Sequence, residues 1–232
     1  MSDTQPRSGP RAAHRRFFLF ALAGRSRALV LLLALVGQIV LTAVDVGHHM
    51  LPSLYHAIVI IAAMVMAADE RGHLRTGWLI GGAAIALSVA ADLVDTDPVA
   101  WVSYLVTVSF YVFVIRLMLG RIFRARDITL DVIGYALCTY VLLGTLWTLL
   151  YAPFAVLDPH AFSQPLGGGG RAPGADLIYF SFVTLTTLGY GDISPVAPVV
   201  RALAILEALT GTLFLAVLIS RLVGGYKSSR NG

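Results

Sequence analysis

Long apolar runs separated by short charged segments dominate this sequence. A membrane-spanning helix needs about 20 mostly apolar residues, and six runs approach or exceed that length, at about 27–46, 51–68, 77–95, 99–119, 129–152 and 197–223. Only 13% of the 232 residues are charged, whereas a soluble domain carries about 25%. The runs therefore predict an all-α membrane protein with six transmembrane helices.

A cleaved signal peptide is the rival interpretation of the first run. Its apolar stretch is long, from Ala28 to Val44, and Asp45-Val-Gly-His-His follows it in place of a small-residue cleavage site. We therefore expect a retained span, preceded by a cytoplasmic segment at residues 1–26.

The basic residues predict which side of the membrane each segment faces. With the N-terminus in the cytoplasm, all of the 17 Lys and Arg residues except Arg171 and Arg201 fall in cytoplasmic segments, as the positive-inside rule requires. Both termini, including a short tail at 224–232, are then cytoplasmic in a plasma-membrane protein. The net charge of +4 thus indicates orientation and no nucleic-acid partner. A basic linker at 121–128 could contact anionic lipid headgroups through Arg121, Arg124 and Arg126.

The segment between the fifth and sixth runs differs from the other links. Residues Ala152 to Gly174 are rich in Pro and Gly and indicate an external loop. The next stretch, Ala175 to Thr187, is apolar and hydroxylated but only about 12 residues long, which is too short to cross a bilayer. It predicts a re-entrant helix.

A seven-residue string with two closely spaced glycines follows this short helix. It consists of Thr186, Thr187, Leu188, Gly189, Tyr190, Gly191 and Asp192. Rings of backbone carbonyls can replace the water shell of a cation. Carbonyls point to one side only where the backbone alternates in handedness, and glycine accepts positive φ without strain. Gly189 and Gly191 occupy the positions that this alternation needs.

The string resembles the selectivity filter of the potassium channel family, whose usual form is T-V-G-Y-G. The resemblance covers about residues 129–223 and departs from the usual pattern at Leu188, where valine is commonest. Leucine also offers its backbone carbonyl, so we expect K⁺ selectivity to persist while filter rigidity changes. The order of elements implies a re-entrant pore helix and filter loop between transmembrane helices 5 and 6.

The resemblance also implies the working unit and the role of each filter residue. K⁺ would bind along Thr187, Leu188, Gly189 and Tyr190, with Gly191 completing the strand. Tyr190 would pack outward against the short helix, Thr186 would support the filter, and Asp192 would cap the external mouth. One chain supplies one strand of a four-stranded cage, so each chain would have three identical subunits as partners in a homotetramer. The implied activity is passive conduction, with no enzymatic reaction and no cofactor besides K⁺ as the permeant ion.

Two residues of the sixth run, which would line the pore, call for a specific role. Glu207 is the acid within this span, and acids inside a membrane usually face protein or water. It could bond to hydroxyls behind the filter, bond to Arg201, or line the cavity. Gly211 lies where the family's inner helix carries a hinge glycine, and it could serve either bending or close packing.

The first four runs, at 27–120, occupy the position of a voltage sensor. A sensor needs repeated basic residues within the membrane, and Trp101 to Ile115 has none. We therefore predict a potassium channel without strong voltage gating. A weakly selective monovalent cation channel of the same fold is one alternative, and a voltage-gated potassium channel with a degenerate sensor is another.

Other polar and aromatic residues give weaker signals. A cluster near the outer ends of the first two runs could bind a metal or a proton, or could simply be interfacial; it comprises Asp45, His48, His49 and His56. Cys138 is expected to be a small core residue. Four aromatic residues are predicted at the membrane interfaces, namely Trp101, Trp147, Tyr151 and Tyr226.

Overall fold

A computed structural model describes residues 28–42, 51–67, 74–94, 96–125, 127–167 and 173–228. The described residues form seven α-helices, and their one extended pairing is an isolated bridge between Phe162 and Pro195. The helices are α1 Ala28–Thr42, α2 Leu51–Ala67, α3 Leu74–Val94, α4 Asp97–Arg124, α5 Leu130–Leu157, α6 Pro173–Leu185 and α7 Pro198–Ser228. The predicted all-α architecture is confirmed.

The length and composition of the helices are those of a membrane protein. Within the described ranges, three helices are long and apolar enough to cross a bilayer: Asp97–Arg124, Leu130–Leu157 and Pro198–Arg221. Two shorter apolar helices cover Ala28–Thr42 and Arg75–Ala91. The number of spans, predicted as six, stays a prediction.

Local signals in the sequence account for the boundaries of α4 and α5. Pro98 lies in the first turn of α4, where its fixed φ suits a helix and its missing N–H costs nothing. At the start of α5 the Thr129 side chain accepts a hydrogen bond from the Val132 amide. The α4 helix continues to Arg124, so Arg121 and Arg124 lie in its last turn and not in a linker that starts at residue 121. Basic side chains there suit the negative end of the helix dipole.

The N-terminal helices pack around an apolar core. Its largest fully buried side chains include Tyr111, Phe110, Leu31, Leu35 and Ile60. Helix α3 lies against α4, and α4 lies against α5, so this core joins the first four helices to the C-terminal part. Cys138 of α5 is buried and free and its thiol faces the Ala28 carbonyl oxygen at 3.4 Å, which confirms that it is a core residue.

Helices α5, α6 and α7 form the C-terminal unit, with the short α6 packed against both others. Helix α7 is largely exposed in the single chain: 11% of the residues in its most apolar stretch are buried, against 39% for α4 and for α5. Its exposed apolar side chains are Val199, Ile205, Leu206, Leu209, Leu213, Leu215, Val217 and Ile219. A helix that is apolar on all sides needs cover from lipid or from other protein.

Candidate functional site

The segment that follows α6 has an alternating backbone. Helix α6 ends at Leu185, and φ is positive at Thr187 (58°), Gly189 (55°) and Gly191 (80°), with Leu188 and Tyr190 between them in the ordinary region. This is the alternation that the sequence predicts, with one addition, because Thr187 also adopts positive φ. A non-glycine residue in that region costs about 1–2 kcal/mol, so the surrounding contacts must hold it there.

Hydrogen bonds to the end of α6 fix the first half of this strand. The amide of Thr187 donates to the Thr184 carbonyl oxygen at 2.9 Å, and the amide of Leu188 donates to the Val183 carbonyl oxygen at 2.9 Å. The Thr186 hydroxyl donates to the Phe182 carbonyl oxygen at 2.6 Å. The strand therefore begins from a rigid base, and Thr186 lies within that base.

The loop between α5 and α6 fixes the other end of the strand. The Ser163 amide donates to the Ser194 carbonyl oxygen at 2.8 Å, and the Ser194 amide donates back to the Ser163 hydroxyl at 2.9 Å. Two residues further along, the Val196 amide donates to the Ala161 carbonyl oxygen at 2.8 Å. Residues 186–192 between these two anchors are exposed in the single chain.

The Tyr190 side chain is 68% exposed, so it does not pack against α6 of its own chain. The aromatic residue that α6 offers to this strand is Tyr179, whose hydroxyl donates to Asp192 Oδ2 at 2.7 Å. This hydrogen bond favours the ionised carboxyl and lowers the pKa of Asp192. A negative charge is thereby stabilised at the C-terminal end of the strand.

Glu207 of α7 lies in a network of hydroxyl groups behind α6. Its side chain is fully buried, with Ser181 Oγ 2.6 Å from Oε1 and the Tyr151 hydroxyl 2.7 Å from Oε2. Ser181 Oγ is also 2.7 Å from the Gly144 carbonyl oxygen of α5. Of the three placements considered from the sequence, the structure has the one with hydroxyl partners, and Arg201 is exposed.

Gly211 lies one helical turn beyond Glu207 and touches the end of α6. A Cβ atom at this position would lie 2.1 Å from the Leu185 carbonyl oxygen, a distance that no pair of non-bonded heavy atoms tolerates. The Tyr140 hydroxyl donates to the same oxygen at 3.3 Å. Gly211 is thus in close contact with α6, within a helix that is continuous from Pro198 to Ser228.

Sequence reasoning missed the partners that surround Glu207. The prediction of Trp147 and Tyr151 as interface aromatics was wrong, since both are buried. Tyr151 instead stacks edge-on against Phe180, with ring centroids 5.0 Å apart. The sequence shows Tyr151 only as a tyrosine in an apolar run. Such a tyrosine fits a membrane interface and contact with a buried carboxylate equally well.

The predicted acidic and histidine cluster is only partly within the described residues. Asp45, His48 and His49 lie outside them, while His56 Nε2 is 3.4 Å from Gln38 Nε2. No group of three metal-ligating side chains occurs in the part of the chain that the structure describes. The cluster stays an untested prediction.

An apolar helix, a short helix, an exposed strand of alternating handedness and a second apolar helix follow one another, as in the pore of an ion channel. Comparison with known proteins supports this class. Residues 135–224 match a family model described as an ion channel. The resemblance to the potassium channel family is confirmed over this part of the chain, and the matching proteins are channels and not enzymes.

Curated proteins that the chain resembles are potassium channels of Arabidopsis, rice and Plasmodium. The chain is 35% identical to two-pore potassium channel 4 of Arabidopsis thaliana over 85 residues, which is 37% of this chain and 30% of that protein. It is 44% identical over 55 residues to two pore potassium channel c of Oryza sativa subsp. japonica (24% of this chain, 12% of that one). Identity to potassium channel K1 of Plasmodium berghei is 28% over 100 residues, 43% of this chain and 5% of that protein. The chain therefore matches less than a third of each relative's length, and no solved structure gives a significant match.

Proposed function

We propose that the chain is one subunit of a potassium-selective channel that conducts passively through the backbone of Thr187–Gly191. The observation that carries the proposal is the exposed strand with positive φ at every second residue. Such alternation aims successive carbonyls at one axis, where they can replace the water of a bare cation. The names of the relatives, all potassium channels, support K⁺ as the ion.

The proposed assembly is a homotetramer closed around the filter axis. One chain contains one filter string, and a carbonyl cage needs strands on every side of the ion. The bare surface of α7 and the exposed strand supply the faces that neighbouring copies would cover. Identical copies form closed rings when each uses the same pair of surfaces. The exposed Tyr190 ring would then pack against a neighbouring copy.

The departure at Leu188 is compatible with K⁺ selectivity. Its side chain is 56% exposed, and its amide is fixed on the Val183 carbonyl oxygen. The filter would use its carbonyl, which leucine and valine share. A weakly selective cation channel of the same fold is the alternative, and a measurement of K⁺/Na⁺ selectivity distinguishes the two.

Asp192 leads to a prediction about external pH. The carboxylate would attract cations to the outer mouth, so K⁺ flux should fall on acidification only below the ordinary aspartate pKa of 3.8, because Tyr179 lowers the pKa of this group. Tyr179→Phe removes the donor and should move the fall in flux to higher pH. The measurement is K⁺ flux against external pH for both proteins, with Tyr104→Phe as the control, since Tyr104 bonds elsewhere, to the Leu149 carbonyl oxygen. Equal acid midpoints for Tyr179→Phe and wild type would contradict the assignment.

The placement of Arg116 leads to a prediction about voltage. A gating charge must face the interior of its helical bundle, and Arg116 is exposed on α4. Arg121 lies over the Tyr135 ring at 5.3 Å, at the end of the helix. We therefore expect open probability to be nearly flat with voltage in planar bilayers, and Arg116→Gln to leave it unchanged. Steep voltage dependence that Arg116→Gln removes would show that a degenerate sensor operates.

The proposed topology places the basic ends of the helices on the cytoplasmic side of the plasma membrane, with both termini on that side. Arg121 and Arg124 at the end of α4, and Arg126 outside the described residues, would contact anionic lipid headgroups there. Flux in liposomes with and without anionic lipid measures this contribution.

Flux from liposomes tests the proposed function. Purified tetramer is reconstituted in vesicles loaded with KCl and diluted into impermeant cation, and K⁺ efflux is followed. We expect efflux that Ba²⁺, an ion of similar size to K⁺, blocks. Vesicles that contain verified tetramer and release no K⁺ in any voltage, pH or lipid condition would contradict the proposal.

A further inference from the structure

Three helices meet at a hydrogen-bonded node that the conduction path itself does not use. Helix α5 contributes Tyr151 and the Gly144 carbonyl oxygen, α6 contributes Ser181, and α7 contributes Glu207. The side chains of Tyr151, Ser181 and Glu207 are all fully buried. The node lies one turn before Leu185, where α6 ends and the filter segment begins.

The contacts in this node outnumber the hydroxyl protons available to make them. Four oxygen pairs lie within hydrogen-bond distance: Ser181–Glu207 at 2.6 Å, Ser181–Gly144 at 2.7 Å, Tyr151–Glu207 at 2.7 Å and Thr148–Gly144 at 2.9 Å. Ser181, Tyr151 and Thr148 supply one proton each, which makes three. The Ser181 proton cannot serve the carboxyl and the Gly144 carbonyl with full strength at once.

We propose that Glu207 is held as a neutral carboxylic acid that donates to Ser181, so that a continuous hydrogen-bond chain ties α7 to α6 and α6 to α5 and positions the filter. The proton on Oε1 points to Ser181 Oγ. Ser181 then gives its own proton to the Gly144 carbonyl oxygen, and Tyr151 donates to Oε2. All four contacts are satisfied by this one added proton. The role in conduction rests on the proposed function, whereas the protonation state does not.

The surroundings of the carboxyl favour this state. An ionised carboxylate in an apolar interior needs a cation or several donors. The titratable groups that face Glu207 are Tyr151 and Tyr140 of α5, and α6 presents Ser181, which does not titrate. No Lys, Arg or His forms an ion pair with Glu207 within the described ranges. Protonation removes the charge and adds the missing donor in one step.

Glu207 is therefore a positioning residue, since it acts on the filter through Ser181 and not by contact with the ion. Loss of this chain of hydrogen bonds would allow α6 to shift between α5 and α7. The Leu188 amide donates to the Val183 carbonyl oxygen, and the Thr187 amide donates to that of Thr184. A shift of α6 therefore changes the spacing of the filter carbonyls. The expected consequence is lower K⁺ preference over Na⁺, not merely fewer channels.

A spectroscopic test reads the proton directly. The chain has two glutamates, Glu70 and Glu207, so ¹³C-carboxyl glutamate in Glu70→Gln protein reports Glu207 alone. We expect the carbonyl stretch of a protonated acid at neutral pH in the membrane-embedded tetramer. A carboxylate band in its place would overturn the proposal, whether or not the protein conducts K⁺.

A pair of variants tests the role of that proton in selectivity. Glutamine reproduces a neutral acid, since its Nε2 donates to Ser181 and its Oε1 accepts from Tyr151, so Glu207→Gln should keep the wild-type K⁺/Na⁺ permeability ratio. Glu207→Leu breaks the hydrogen bonds to both Ser181 and Tyr151 and should lower the ratio by about tenfold. Thr148→Val is the control, because it removes the hydroxyl that donates to the Gly144 carbonyl oxygen but leaves the hydrogen bonds between the helices intact.

The pH profile separates positioning from bulk stability. At alkaline pH the proton leaves to water, and wild-type protein should lose K⁺ preference while Glu207→Gln does not. If Glu207→Gln behaved like Glu207→Leu, the carboxyl would be an ionised acceptor and the proposal would be wrong. If no variant conducted, wild type included, the proposed function would fail and the band would still decide the protonation state.

Discussion

Gly189→Ala is expected to abolish K⁺ flux while leaving the helices folded. Gly189 has φ of +55°, and a Cβ atom there would meet no other atom of its own chain within 4 Å, so within the subunit the effect comes from the backbone conformation. A left-handed conformation costs an alanine about 1–2 kcal/mol. In the proposed tetramer the cost recurs four times around one ring, about 4–8 kcal/mol in total, and the backbone would relax by turning a carbonyl away from the axis.

The matched control for this variant is Gly82→Ala. Gly82 of α3 also has open space around its Cα atom, but its φ is not positive, and alanine favours a helix by about 1 kcal/mol over glycine. Flux is measured from liposomes at equal tetramer content for both variants. Wild-type K⁺ flux in Gly189→Ala would show that this strand does not carry the ion.

Gly211→Ala is expected to prevent correct assembly of the C-terminal unit. Its Cβ would lie 2.1 Å from the Leu185 carbonyl oxygen and 3.1 Å from Leu185 Cδ1. Backbone cannot rotate away as a side chain does, so α7 and α6 must separate, and overpacking of this kind costs about 1–3 kcal/mol or more. We expect a lower melting temperature and loss of tetramer in detergent.

This variant also separates the two roles considered for Gly211. A hinge glycine in open surroundings accepts alanine in its fold and changes only its opening, whereas a packing glycine does not accept it. Gly120→Ala on α4, with nothing within 4 Å of its added Cβ, is the control and should be neutral. If Gly211→Ala formed stable tetramers with altered opening alone, bending would be its main role.

Much of the helical framework could be predicted from the sequence, because apolar runs and their charged ends are local signals. Helices α5 and α7 begin within one residue of the predicted runs, and each continues more than one turn past its predicted end, α5 to Leu157 and α7 to Ser228. The alternation at Gly189 and Gly191 was also predictable, since it depends on the freedom of glycine at each position. Thr187 was not, because its positive φ depends on contacts with the end of α6.

The partners of Glu207 could not be predicted, for a physical reason. A buried carboxyl needs donors, but the sequence does not say which hydroxyl on which helix reaches it. Tyr151 is 56 residues away and Ser181 is 26, and helix packing alone brings them together. The same holds for Gly211, whose contact with Leu185 depends on how closely α7 approaches α6.

The reversal potential in mixed K⁺ and Na⁺ tests the central claim most directly. Wild-type tetramer in a planar bilayer, with K⁺ and Na⁺ on both sides in opposite proportions, should reverse close to the K⁺ equilibrium potential, and a tenfold change in K⁺ on one side should move the reversal potential by the full Nernst step of about 59 mV. A reversal potential near zero, unmoved when K⁺ replaces Na⁺, would contradict potassium selectivity and favour a weakly selective cation channel.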